Sequence, residues 1–164
     1  MIKVRLTIEE YALGVDVGLR RMLTSQIRGH RHASTYRRTW LERTREETIG
    51  ACGELAFCKG FGLYWAGPLD TFHEVPDAAG CEVRSCDRDD ASLIIRDNDD
   101  DDLWYYLVTG EPPDMAIRGR LLGSAAKRER FERNPHGHRP AWFVPQRYLL
   151  APLHPATNLA RQSV

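Results

Sequence analysis

The sequence predicts an α/β fold in which two helical segments precede a small mixed sheet. Three observations carry that reading. Apolar residues recur at helical spacing from Ile8 to Leu23. Short runs of β-branched and aromatic residues, such as Ile94-Ile95 and Trp104-Tyr105-Tyr106, occupy the second half. Gly60, Gly62, Gly67 and Pro68 mark the change between the two regimes. A length of 164 residues fits one domain.

The first helix is predicted to begin near Thr7, because Thr7 and Glu10 have the spacing of a reciprocal N-terminal cap. Ile8, Tyr11, Ala12, Val15, Leu19, Met22 and Leu23 then supply its apolar face. Gly14 and Gly18 lower intrinsic propensity, so this helix is expected to rely on packing. Arg28 to His32 read as a basic loop. A second helix is expected from about Thr35 to Lys59, with a break near Gly50 or close packing at Gly50 and Gly53. Strands are predicted over 81–85, 92–96, 103–108 and 114–120, with a polar connection over 97–102 and a turn at Gly110, Pro112 and Pro113. A short basic helix over 123–133 and a late strand at 142–144 complete the order. The chain after Pro155 carries the weakest pattern.

Charge divides the sequence. The 23 Lys and Arg balance the 23 Asp and Glu, yet residues 70–102 hold twelve acids and three bases. Residues 1–49 and 103–164 are net basic. Basic flanks around an acidic centre suit both a protein that grips a polyanion beside a metal ion and one with scattered surface charge. No run approaches the roughly 20 apolar residues that cross a bilayer, and the N-terminus lacks a signal peptide's apolar stretch. Cys52, Cys58, Cys81 and Cys86 lack zinc-ligand spacing, so no structural zinc is expected, and a reducing cytoplasmic setting is the default. No membrane partner is expected.

The richest window is Asp77-Ala78-Ala79-Gly80-Cys81-Glu82-Val83-Arg84. The spacing allows a tight hairpin that draws Asp77 and Glu82 together. Strand alternation puts Glu82 and Arg84 on one face, with Cys81 and Val83 on the other. Two carboxylates, with the Val83 carbonyl beside them, are hard oxygen ligands suited to a divalent ion such as Mg²⁺. Arg84 would stabilise phosphate charge and is a poor base. A solvated Asp–Glu–Arg hairpin without chemistry remains the alternative reading of these residues.

Gly50-Ala51-Cys52-Gly53-Glu54-Leu55-Ala56-Phe57, followed by Pro76-Asp77 and Glu82-Val83-Arg84, resembles the PD-(D/E)XK nuclease superfamily. The resemblance spans roughly residues 36–150. It implies a restriction-endonuclease-like α-β-β-β-α-β core with a mixed central sheet over 36–155, an N-terminal helical addition over 1–35, and a tail over 156–164. It also implies hydrolysis of DNA phosphodiester bonds with Mg²⁺ or Mn²⁺. Asp77 and Glu82 match the motif's acids, Glu54 the acid of the first core helix, and Arg84 stands where lysine is usual. Asp77, Glu82, Val83 and Glu54 are thus the expected metal ligands.

Arg118 and Arg120 on one strand face, with Lys127 and Arg130 three residues apart on the basic helix, are the expected DNA contacts; a solubilising surface is their other reading. Glu47 is expected at the surface, as are Asp97, Asp99, Asp100, Asp101 and Asp102. His73, His136 and His138 are expected in loops, and Trp40, Trp65, Trp104 and Trp142 in packing. Homodimerisation is a further expectation. The competing function is a catalytically silent nucleic-acid-binding or assembly protein with the same fold; a protein-interaction module is a third possibility.

Overall fold

A computed structural model describes residues 1–28, 39–68, 77–134 and 140–159. The chain opens with a strand that the sequence reading passed over, β1 (Ile2–Arg5). Helix α1 (Ile8–Ile27) follows, and Thr7 and Glu10 form the expected reciprocal cap. Helix α2 (Trp40–Phe61) is capped in the same way by Thr39 and Glu42. It runs unbroken through Gly50 and Gly53, and Gly62 ends it in the left-handed region at φ 65°. The expected start near Thr35 lies outside the described residues.

Strands β2 (Cys81–Cys86), β3 (Leu93–Arg96), β4 (Trp104–Thr109) and β5 (Asp114–Leu122) occupy the predicted segments. The turn between β4 and β5 contains the cis Pro112–Pro113 peptide. Further along lie α3 (Gly123–Ala126), β6 (Glu132–Arg133), β7 (Ala141–Val144) and α4 (Ala156–Leu159). The basic helix expected over 123–133 is therefore only four residues long, followed by a 3-10 turn and a two-residue strand. The segment offers no apolar stripe to hold a longer helix against the core.

The central sheet is mixed, in the order β1-β5-β4-β2. Its β1–β5 and β5–β4 pairs are antiparallel, whereas β2 and β4 are parallel, with Glu82 opposite Tyr105. Strand β3 leaves this sheet and joins β7 and β6 in a small antiparallel one. The first 28 residues are thus more than a helical addition, since β1 forms an edge of the central sheet.

One face of that sheet packs against the helices. Val83, Tyr106, Val108 and Ile117 meet Ala56, Phe57 and Val17 there, and Cys81 faces inward as expected. The other face packs Tyr105, Leu107 and Leu121 against Leu93, Ile95 and Val144 of the small sheet. Helices α1 and α2 run antiparallel and close together. A β-carbon on Gly14 would lie 2.5 Å from Cys52 Sγ, and one on Gly18 would lie 2.6 Å from the Thr48 backbone. Contact at that distance is open only to glycine. Among the described residues no helix is long and apolar enough to cross a membrane.

Candidate active site

The candidate site forms where the buried half of α2 meets β2, the edge strand of the central sheet. Gly53 allows the approach: a β-carbon there would lie 1.8 Å from Ser85 Oγ. The next residue, Glu54, is consequently buried between the helices and β2. Its carboxylate is fully engaged. Arg21 of α1 donates from Nη1 to Oε1 at 2.6 Å and from Nη2 to Oε2 at 2.8 Å. Trp65 Nε1 adds a bond to Oε2 at 3.2 Å, and Arg21 Nε is held by the Pro68 carbonyl at 2.8 Å. Burial pushes the Glu54 carboxyl up, while Arg21 and Trp65 oppose that shift.

A hairpin turn supplies the second acid. Ala78 and Cys81 exchange backbone hydrogen bonds, and Ala79 and Gly80 both have positive φ, at 48° and 73°. Two left-handed central residues match the twist of a tight hairpin. Asp77, just before the turn, folds back so that its Oδ2 accepts the Val83 N–H at 2.9 Å. Burial raises the Asp77 pKa, against the lowering effects of that hydrogen bond and of Arg84 and Arg21.

Glu82 and Arg84 share a face of β2, as alternation predicts. Burial, then the nearby Asp77, pushes the Glu82 carboxyl up to about 7 despite Arg84. Arg84 Nη2 lies 3.5 Å from Glu82 and 3.0 Å from Asp99 Oδ1, and its guanidinium lies over the Tyr105 ring. Asp99 also accepts the Arg96 N–H at 2.9 Å. The acidic connection is therefore not wholly solvated: Asp99 is buried, drawn inward by a guanidinium and a backbone donor. Asp99 and Arg21 are the site residues that sequence reasoning missed. Asp99 sat inside a uniform acidic run, and Arg21 lies 33 residues from the acid it binds.

Glu47, expected at the surface, is partly buried, and burial raises its pKa. Trp65 is a core residue, as expected. His73, His136 and His138 lie outside the described residues. Among the described residues no group of three or more His, Cys, Asp or Glu is arranged to hold a metal ion. The four cysteines are free thiols, and burial pushes Cys52 and Cys58 up to about 11.

The expected DNA contacts are dispersed. The β4–β5 register slips between Leu107 and Val108, leaving Arg118 without a β4 partner. An extra residue in one strand resets the alternation of side chains. Arg118 bonds Thr109 Oγ1 and pairs with Asp89, whereas Arg120 is buried and stacked on Trp104 at 4.1 Å. Lys127 is held by the Asp97 and Asp99 carbonyls and the Asp101 carboxylate. Arg130 is exposed beside the rings of Phe131 and Tyr148. The helical spacing that joined Lys127 to Arg130 is absent, because α3 ends before both.

No family model, curated protein or solved structure matches this chain.

Proposed function

We infer that this chain hydrolyses DNA phosphodiester bonds with a divalent metal ion at the β2 edge, where Asp77 and Glu82 hold Mg²⁺ or Mn²⁺ and Arg84 meets the reacting phosphate. The observation that carries the reading is the meeting of two carboxyls and one guanidinium around a single hairpin, in the order of the nuclease motif that the sequence resembles. Restriction-endonuclease-like topology is part of the same proposal. The mixed sheet, with α2 carrying Glu54 against β2, supports it.

The donor set suits a small, hard cation. Glu82 and Asp77 repel each other when ionised, and Glu82 stays protonated up to about 7. Mg²⁺ takes hard oxygens and uses as few as one or two protein carboxylates. The Val83 carbonyl is the further candidate ligand. Glu54 leaves the ligand set, because Arg21 and Trp65 occupy both its oxygens; it instead fixes Arg21 beside Asp77. When bound, the ion would neutralise phosphate charge and lower the pKa of water.

The chain's own residues do the rest. Asp77 fixes the hairpin by accepting the Val83 N–H, and its carboxylate would bind the ion. Glu82, pushed up to about 7 in the metal-free chain, would release its proton on binding the ion. Arg84 swings between Asp99 and a phosphate oxygen, supplying positive charge without losing its proton. Arg130 is the exposed cation of the four expected DNA contacts; Arg118 and Lys127 would have to exchange acidic partners for phosphate.

A second reading is favoured by one observation. Arg84 already neutralises Glu82 and Asp99, and Arg21 neutralises Glu54. Such internal pairing suits a catalytically silent nucleic-acid-binding or assembly protein. Incubation with labelled linear, nicked, branched and single-stranded DNA in Mg²⁺ or Mn²⁺, beside an EDTA control, separates the two. Metal-dependent cleavage supports the nuclease, while binding without cleavage supports the silent protein.

A further inference from the structure

The apolar stripe of α1 does not face the core. The helix buries Gly14, Val17, Gly18, Met22 and Ser25, the small side chains letting α2 approach. Ile8, Tyr11, Val15, Leu23 and Ile27 are exposed instead, Ile8 at 83% and Ile27 at 86%, and Leu19 is half-buried. Positions 8, 11, 15, 19, 23 and 27 are three or four residues apart, so they form one continuous row along a helix about 30 Å long. Scattered exposed apolar residues are ordinary, but a continuous row of them marks an interaction surface.

We propose that this row is the interface of a homodimer in which α1 packs antiparallel against α1 of a second copy. Two features select that occupant. The row is nearly palindromic about position 17: reversal sets Val15 across from Leu19, Tyr11 across from Leu23 and Ile8 within one residue of Ile27. A two-fold interface requires a patch that complements itself in this way. Charge along the helix is also complementary only in the reversed sense. Exposed Asp16 lies in its first half and exposed Arg20 in its second, whereas Glu10 and Arg21 are held within the chain by Lys59 and Glu54. Along the flank of the row, Asp16 and Arg20 already pair at 2.9 Å. Antiparallel packing brings like flanks together, so each pair would meet its symmetry mate with acid opposite base. Parallel packing would bring opposite flanks together and leave each Asp16–Arg20 pair without its symmetry mate. This inference does not depend on the nuclease reading.

Sedimentation velocity over micromolar concentrations tests it, with circular dichroism confirming helix content. The parental chain should dimerise. Tyr11→Glu and Leu23→Lys, both at exposed positions, should each weaken self-association by about tenfold or more, since each sets a charge against an apolar side chain. A one-to-one mixture of the two variants should recover a dimer, because Glu at position 11 of one copy faces Lys at position 23 of the other. A monomeric parental chain would overturn the proposal, including one that binds another protein through this row. So would folded single variants that dimerise undiminished, or a mixture that stays monomeric.

Discussion

Arg21 and Glu54 form a two-pronged ion pair between α1 and α2, with both N–O distances below 3 Å, directly beside the Asp77 hairpin. The acid that resembles a helical catalytic residue is thus neutralised by a cation from the preceding helix. Removing Arg21 would leave a buried carboxylate without its counter-charge. Arg21→Ala should cost roughly 3–5 kcal/mol in urea unfolding at pH 8. The loss should shrink toward pH 5. Burial already raises the Glu54 pKa, and without Arg21 it rises further, so acid conditions neutralise the stranded group. A pH-independent loss would mean that the pair is not the source.

Glu82 predicts a slope of opposite origin. Its folded pKa of about 7 lies above the ordinary 4.5, so the folded state holds a proton that the unfolded chain has released. Stability from this group is complete below about 4.5 and is lost as pH rises through about 7, a total of roughly 3 kcal/mol. Glu82→Gln should therefore be the more stable protein at pH 8, with the difference vanishing at pH 4, while its cleavage is lost. Parallel thermal melts from pH 4 to pH 8 read the difference directly. Equal melts at every pH would return Glu82 to an ordinary surface carboxylate.

Two substitutions separate the hydrogen bond of Asp77 to Val83 from the metal-binding role proposed for it. Asp77→Asn keeps an acceptor for the Val83 N–H but removes the charge. It should retain near-parental stability and lose most cleavage. Asp77→Ala should lose both, destabilised by about 1–3 kcal/mol as the backbone donor is orphaned. Amide exchange at Val83 should rise in the Ala variant alone. Slow exchange at Val83 in Asp77→Ala would mean another group satisfies that donor.

Much of this arrangement was legible in the sequence. The Thr7–Glu10 cap, the Asp77 to Glu82 hairpin, the shared face of Glu82 and Arg84, and the inward Cys81 all follow from local rules, and local geometry decided each. The alternation Ile2-Lys3-Val4-Arg5 was also a strand signal, although only the distant partner β5 confirms it. The buried side of α1 was not legible, because periodicity finds an apolar row without saying what it faces. Here the glycines, poor helix formers, determine the buried side by permitting contact with Cys52 and Thr48. Asp99 and Arg21 were beyond local reading, since each is set by a partner distant in sequence. The 123–133 helix failed because helical spacing of charges, without an apolar face, does not hold a helix to a core.

Gly53 tests the packing that positions Glu54. Gly53→Ala should destabilise by about 1–3 kcal/mol despite the better helix propensity of alanine, because the new methyl meets Ser85. Ser85→Gly in the same chain should recover most of the loss. Denaturation of the single and double variants measures the coupling, and additive effects would place the two residues out of contact.

The central claim is that Asp77, Glu82 and Arg84 act together on a DNA phosphate with a bound divalent ion. Single-turnover cleavage of labelled DNA by the parental chain, Asp77→Asn, Arg84→Lys and Arg84→Ala, with saturating enzyme and Mn²⁺, tests it most directly. The account predicts EDTA-sensitive cutting by the parental chain, retained activity in Arg84→Lys, and losses of about a hundredfold or more in Asp77→Asn and Arg84→Ala with DNA affinity preserved. Parental-rate cutting by folded Asp77→Asn, or no metal-dependent cutting of any DNA form by the parental chain, would contradict it.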